Sequence, residues 1–142
     1  MTEVAKATLA DGIKRFPKDA DHHLEYALLL LGLAEAGNDA AGLKAEAQLK
    51  TALALDSHLP EADYQLGNLA LERGRLNEAA SYLEAAGRLA PERSKIHFAL
   101  ARTCRRQGRR EDSAKEMALY QEFKSQEEQR ATLLWPAEIS HE

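Results

Sequence analysis

Apolar and small residues recur three and four positions apart along most of the chain, with polar residues filling the gaps. The pattern is clearest between Glu61 and Pro91. Leu66, Leu69, Ala70 and Leu76 alternate with Glu61, Gln65, Asn68, Glu72 and Arg73, and then Ala79, Ala80, Leu83, Ala86 and Leu89 alternate with Glu78, Glu84 and Arg88. On an α-helix such spacing gathers side chains on one face. The stretch therefore predicts two short amphipathic helices. Gly74 lies between them, and glycine can take the left-handed conformation that ends a helix without a Cβ clash. Asn77 is the expected N-cap of the second helix, and Pro91 its stop.

These spacings return 34 residues away on both sides. Leu66, Gly67, Gly74 and Ala79 reappear as Leu100, Ala101, Gly108 and Ser113, while Ala79, Leu83, Ala86 and Leu89 match Ala45, Leu49, Ala52 and Leu55. A fixed period of this length is the signature of a stacked helical array. Small residues at Gly67, Ala79 and Ala86 let the two helix backbones approach closely.

The set Leu66-Gly67, Gly74, Ala79, Ala86 and Pro91 resembles the tetratricopeptide repeat (TPR), whose signature places such residues at these separations. Asp63 stands where that family favours Trp, Ala70 where it favours Tyr, and Leu83 where it favours Phe. The resemblance implies an all-α, right-handed superhelix of antiparallel helix pairs. It implies protein–protein interaction rather than catalysis.

Taken in order, the pattern gives a helix over 2–16, laid out like the second helix of a repeat whose first is missing. Two readings stay open for this half repeat. Either the chain is a piece of a longer array, or the helix caps the stack or docks on a neighbour. A helix over 21–36 follows, apolar all round at Leu28 to Leu31 and hence expected to be buried on more than one side. Counted back from Gly37, its packing slots fall on Tyr26, Leu29 and Leu33. The turn from Asn38 to Leu43 reads as about three residues longer than in the next repeat, and the partner helix runs to about Asp56. The expected division is a half repeat at 1–17, repeats at 21–59, 60–93 and 94–131, and a tail at 132–142. Ser94 is the expected N-cap of the third repeat. The helix after Glu111 runs on without Pro or Gly to Ala131, and its polar end suits a terminal unit on which nothing stacks.

A net charge of −4 with 44% hydrophobic residues fits an ordinary folded protein and argues against a general nucleic-acid binder. RNA binding through an Arg stripe with Tyr64 and Phe98 has the wrong overall charge. The longest apolar run, Ala27 to Ala34, is too short to cross a bilayer, and no signal peptide opens the sequence. The cytoplasm is the default compartment, with the periplasm open if the chain is a fragment. The single cysteine, Cys104, rules out an intramolecular disulfide and reads as a buried thiol.

In a TPR array the first helices of successive repeats line a concave groove, which the resemblance makes the expected peptide-binding surface. Its outward slots here are Leu24, Ala27, Leu31 and Ala34, then Glu61, Tyr64, Asn68 and Leu71, then Lys95, Phe98, Arg102, Arg105 and Arg106. The surface grades from apolar to cationic. From Arg88 to Lys115 there are nine Lys or Arg against three Asp or Glu. The expected ligand is a protein or peptide with an apolar part and an acidic part, since arginines fork onto carboxylates. The alternative for the arginines is a solvated face paired with Glu111, Asp112 or Glu116. One acidic–apolar segment lies in the chain itself: Leu133, Leu134, Trp135 and Ile139 with Glu138 and Glu142. It can serve as its own or a neighbour's ligand, or fray. Some TPR modules hold chaperone tails with a Lys and Asn carboxylate clamp. The matching positions are Ala27, Leu31, Gln65, Lys95 and Ala99, so only the Lys is present.

No cofactor motif, nucleophile elbow or paired-carboxylate site occurs. The five histidines lack Cys or His partners at ligand spacing and are expected in capping or surface roles. The chain reads as a non-catalytic scaffold. The alternative is a recognition or regulatory arm of a larger enzyme or envelope-assembly protein.

Overall fold

The computed structural model describes residues 2–35 and 39–134. Among them it holds seven α-helices: α1 (Thr2–Arg15), α2 (Ala20–Glu35), α3 (Asp39–Leu55), α4 (Pro60–Glu72), α5 (Leu76–Leu89), α6 (Ser94–Arg106) and α7 (Arg110–Leu134). They pack in consecutive antiparallel pairs, α2 on α3, α4 on α5 and α6 on α7, with α1 against α2. Each pair also rests on the next through α3 against α4 and α5 against α6.

The core is shared across these junctions. Ala27 and Leu30 of α2, Ala41, Ala45 and Leu49 of α3, and Ala62 and Leu66 of α4 form one buried cluster. Leu83 and Ala86 of α5 join Ile96, Ala99 and Leu100 of α6 in another. No pair can bury its apolar faces alone, so the array stands by stacking.

Gly67 sits where α4 crosses α5. A Cβ there would lie 2.6 Å from Leu83 Cγ, so only a hydrogen fits. Gly74 and Gly108 take φ of 74° and 82° after α4 and α6. At each corner the paired return bonds form, Arg75 N to Ala70 O and Gly74 N to Leu71 O, then Arg109 N to Cys104 O and Gly108 N to Arg105 O. This is the Schellman arrangement that satisfies the last carbonyls of a helix.

The structure corrects the reading of the first pair. The stretch 39–43 is not an enlarged turn, because α3 already begins at Asp39. Residues 36–38, and with them Asn38 of that expected turn, lie outside the described residues. The extra residues lengthen the helices: α2 has 16 residues against 13 in α4, and α3 has 17 against 14 in α5. Three residues are close to one helical turn, so the inserted length keeps the buried face roughly in register. Counting back from the end of α2 therefore misplaces its slots by three. His23, Ala27 and Leu30 are buried, whereas Tyr26, Leu29 and Leu33 are half-buried. Counted forward from Pro17, the buried trio falls where His97, Ala101 and Cys104 fall counted from Pro91.

The caps also differ from expectation. Arg75 and Arg93 are the N-caps of α5 and α6, and neither makes a side-chain capping bond. Asn77 lies inside α5 and accepts a hydrogen bond from Gln107. Ser94 is the first residue of α6, and its amide and hydroxyl both donate to the Glu127 carboxylate at 2.9 and 2.6 Å. Glu127 is thus the anion at the N-terminus of α6. Those bonds from Ser94 hold its carboxyl below the usual range.

Asp63 is buried on α4 at the slot held by histidine in α2 and α6. Burial pushes its carboxyl up, against the pull of Arg88. A carboxyl raised on folding costs nothing when it is protonated in both states, and its cost grows as pH rises through the folded value. Asp63→Asn is therefore expected to raise the melting temperature at pH 7 and leave it nearly unchanged at pH 3. Equal shifts at both pH values in a thermal melt series would contradict this.

Candidate functional site

The first helices of the three pairs, α2, α4 and α6, share one side of the array, with α4 also touching α6 directly. Residues 34 apart occupy the same slot on successive helices and become neighbours. Glu61 of α4 thus meets Lys95 of α6 at 2.8 Å, and Arg93 approaches the same oxygen at 3.6 Å. Burial works against the charge of Glu61, but hydrogen bonds from Lys95 and Gln65 and the field of both cations outweigh it. Its carboxyl stays below the usual range. The Lys95 ammonium also lies 4.5 Å from the centre of the Tyr64 ring, a cation–π contact.

Two hollows involve these first helices. One, of about 590 Å³, lies between α2, α3 and α4 and is lined by Leu31, Ala34, Leu43, Asn68, Leu69 and Arg73. Its lining mixes these apolar groups with polar ones, Gln65 and Glu72 among them. The other, of about 830 Å³, runs between α6 and the start of α7. Phe98, Ala101 and Met117 form its apolar part, and Arg102, Arg105 and Arg110 its charged part. Phe98 is exposed, with its ring centre 5.0 Å from that of Tyr120, and the Arg102 guanidinium lies 6.0 Å from the Phe98 centroid. Among the described residues none of these three arginines has a carboxylate partner. Arg109, by contrast, is bound to Asp112.

The model of the family described as "Tetratricopeptide repeat" matches residues 70–134. Residues 70–134 thus match tetratricopeptide repeats, and the seven helices packed in consecutive pairs form a TPR-like fold. Among solved structures the fold resembles "Crystal structure of MamA" with a TM-score of 0.75 and 16% identity, over 90% of this chain and 71% of that one. It also resembles "Crystal structure of MamA protein" at 0.72 and 16%, over 91% and 67%. The "MamA RS-1 ArsTM double mutant" aligns at 0.72 and 18%, over 89% and 67%. At these identities the likeness shows the fold alone. No curated protein matches the sequence.

On the TPR frame the residues expected in the groove divide. Leu31, Asn68, Phe98, Arg102 and Arg105 line the two hollows. Leu24 is half-buried against the first core cluster, and Tyr64 against the second. Lys95 is engaged by Glu61. Three slots are not open to a ligand as expected. Ala27 is fully buried, a consequence of the three-residue shift in α2, and the outward residue beside it is Leu28. Leu71 is 2% exposed, packed with Ala70 and Ala79 where α4 turns into α5. Arg106 donates from Nη1 to the Leu71 carbonyl at 2.9 Å and ties α6 to the end of α4. The shift also moves the clamp positions of α2 to Leu24 and Leu28, which are equally apolar.

Sequence reasoning missed Arg110, because the slots were read on first helices only. The signal was present: Arg110 opens the first turn after Gly108 and must face the last turn of α6. The Glu61–Lys95 pair was likewise legible in its 34-residue separation. Trp135, Glu138, Ile139 and Glu142 lie outside the described residues, whereas Leu133 and Leu134 end α7 exposed.

Of the histidines expected in capping or surface roles, His58 is exposed, His141 lies outside the described residues, and His23 and His97 are buried. His97 is buried, with Nε2 at 2.7 Å from the Pro91 carbonyl and Nδ1 at 2.8 Å from Glu116. His23 repeats the device, bridging the Pro17 carbonyl and Gln48. Each ring fastens the preceding corner to the second helix of its own pair. No group of His, Cys, Asp or Glu among the described residues could hold a metal ion. Cys104 is buried, and burial pushes its thiol up. Among the described residues no helix is long and apolar enough to cross a membrane.

Proposed function

We propose that this TPR domain binds a peptide or protein segment having an apolar part and an acidic part, on the side lined by α2, α4 and α6. TPR domains generally mediate protein–protein interaction, and nothing in this chain points to a catalytic family. The observation that carries the finer reading is the channel in which three arginines, without a carboxylate partner among the described residues, are set against Phe98 and Met117. Charge-assisted pairs from Arg to carboxylate are the strong class of hydrogen bond, and a concave cationic wall concentrates anions. The hollow beneath Leu31 and Leu69 offers the apolar counterpart.

The test is a fluorescence titration with a peptide that joins a Leu- and Trp-containing stretch to a run of Asp and Glu. Arg102→Glu with Arg105→Glu is expected to weaken binding at least about tenfold, a loss of about 1.4 kcal/mol. Affinity should also fall with added salt, because rim charges are screened. An unchanged dissociation constant in the double variant would reject the proposal. Arg106 is the wrong residue for this test, since its side chain already serves Leu71.

A further inference from the structure

The α6/α7 channel and the C-terminal segment of the chain are chemical complements. The channel offers Phe98, Ala101 and Met117 beside three arginines that lack carboxylate partners among the described residues. At the far end of α7, Leu133 and Leu134 are 81% and 73% exposed, high values for two adjacent leucines. The sequence continues from them with Trp135, Glu138, Ile139 and Glu142. Within ten residues it sets four large apolar groups beside two carboxylates.

Distance decides whose channel that segment can fill. From Met117 to Leu134 the helix is continuous, and 17 steps at 1.5 Å carry the chain about 26 Å away. Residues 135–142 span at most about 26–29 Å when fully extended. Turned back toward their own channel, these residues would be spent on the way. They would stop short of Arg110, 24 helical steps or about 36 Å from Leu134. A tail from another molecule meets no such limit.

We propose that the segment Leu133–Glu142 of one molecule occupies the α6/α7 channel of a second copy. Leu134, Trp135 and Ile139 cover Phe98 and Met117, and Glu138 and Glu142 face Arg102, Arg105 and Arg110. This rests on the reading of the channel as an acidic-peptide site and adds the identity of the peptide. A tail-in-channel contact joins two different surfaces, so it closes as a reciprocal pair or extends as a chain of molecules. Ten residues bury less than a standard interface, which makes a single contact weak. A reciprocal pair gains from the second contact being intramolecular.

The test is sedimentation velocity of the full chain from micromolar to millimolar concentration. The wild-type chain is expected to self-associate. Association should weaken at least tenfold in Arg102→Glu with Arg105→Glu, and equally in Leu134→Ala with Trp135→Ala. Combining the arginine reversals with Glu138→Arg and Glu142→Arg in one chain should restore it, which a general loss of structure cannot do. A wild-type chain that stays monomeric throughout, or a charge-swapped chain that fails to reassociate, overturns the inference. A synthetic peptide of residues 132–142 separates the two levels. If it fails to bind while the unrelated acidic–apolar peptide binds, the tail inference falls and the proposed function stands. If neither binds, both fall.

Discussion

Leu83→Ala is expected to destabilise the protein by about 2–5 kcal/mol, the range for a fully buried leucine whose surroundings cannot collapse. Leu83 is 0% exposed and belongs to the cluster that joins α5 to α6. It also presses on Gly67, where an added Cβ would meet Leu83 Cγ at 2.6 Å and Cδ2 at 2.8 Å. That contact couples two substitutions. In the wild-type background Gly67→Ala overpacks the crossing and costs about 1–3 kcal/mol, offset in part by the better helix propensity of Ala, about 1 kcal/mol. With Leu83 cut back to Ala, the obstacle is gone and only the propensity gain remains. Gly67→Ala should therefore change sign, destabilising the wild type and stabilising Leu83→Ala. Urea unfolding of the four proteins measures the coupling directly. Strict additivity would mean that the helices adjust at this crossing, and the close approach does not fix their spacing.

His97→Ala is the second large effect. The ring engages Pro91 and Glu116 together and stacks on Phe123 with centroids 5.4 Å apart. Its removal strands two acceptors, each a potential loss of about 1–3 kcal/mol when buried, and opens a void under α7. Glu116 is part-buried and can recover some hydration, so the total expected is about 2–4 kcal/mol rather than the sum of both penalties. The damage should be local first. Phe123 and Glu127 hold the far half of α7 on α6, and α7 itself has no buried residue. Hydrogen exchange from 116 to 127 should therefore accelerate more than exchange in α4 and α5. Uniform acceleration would show that α7 is not held by this fastening. A loss below about 0.5 kcal/mol in chemical unfolding would remove the fastening altogether.

Much of the architecture lies in spacing alone. Gly67, Ala79 and Ala86 return at one period because each repeat solves the same packing problem, so one solution predicts the next. Gly74 and Gly108 could be placed because only a residue without a Cβ tolerates a left-handed turn in this context. Helix lengths in the first pair were less legible. An inserted turn leaves the apolar rhythm intact, and rhythm cannot tell a longer loop from two longer helices. The groove was readable as a gradient from Leu31 to Arg102. The partners of its charges were not, because a helical stripe shows which residues share a face and leaves open which neighbours already satisfy them.

The sequence by itself determined an array of paired helices, their turns and the cationic character of the third repeat, because these follow from local periodicity and backbone sterics. Tertiary structure decided which charges remain free. Lys95 is spent on Glu61 and Arg106 on the Leu71 carbonyl, while Arg102, Arg105 and Arg110 around Phe98 have no carboxylate partner among the described residues. It also set the exposed Glu127 over the N-terminus of α6. The reason is distance: charge interactions act across helices brought together by stacking, and a difference of a few ångströms separates an occupied arginine from an available one.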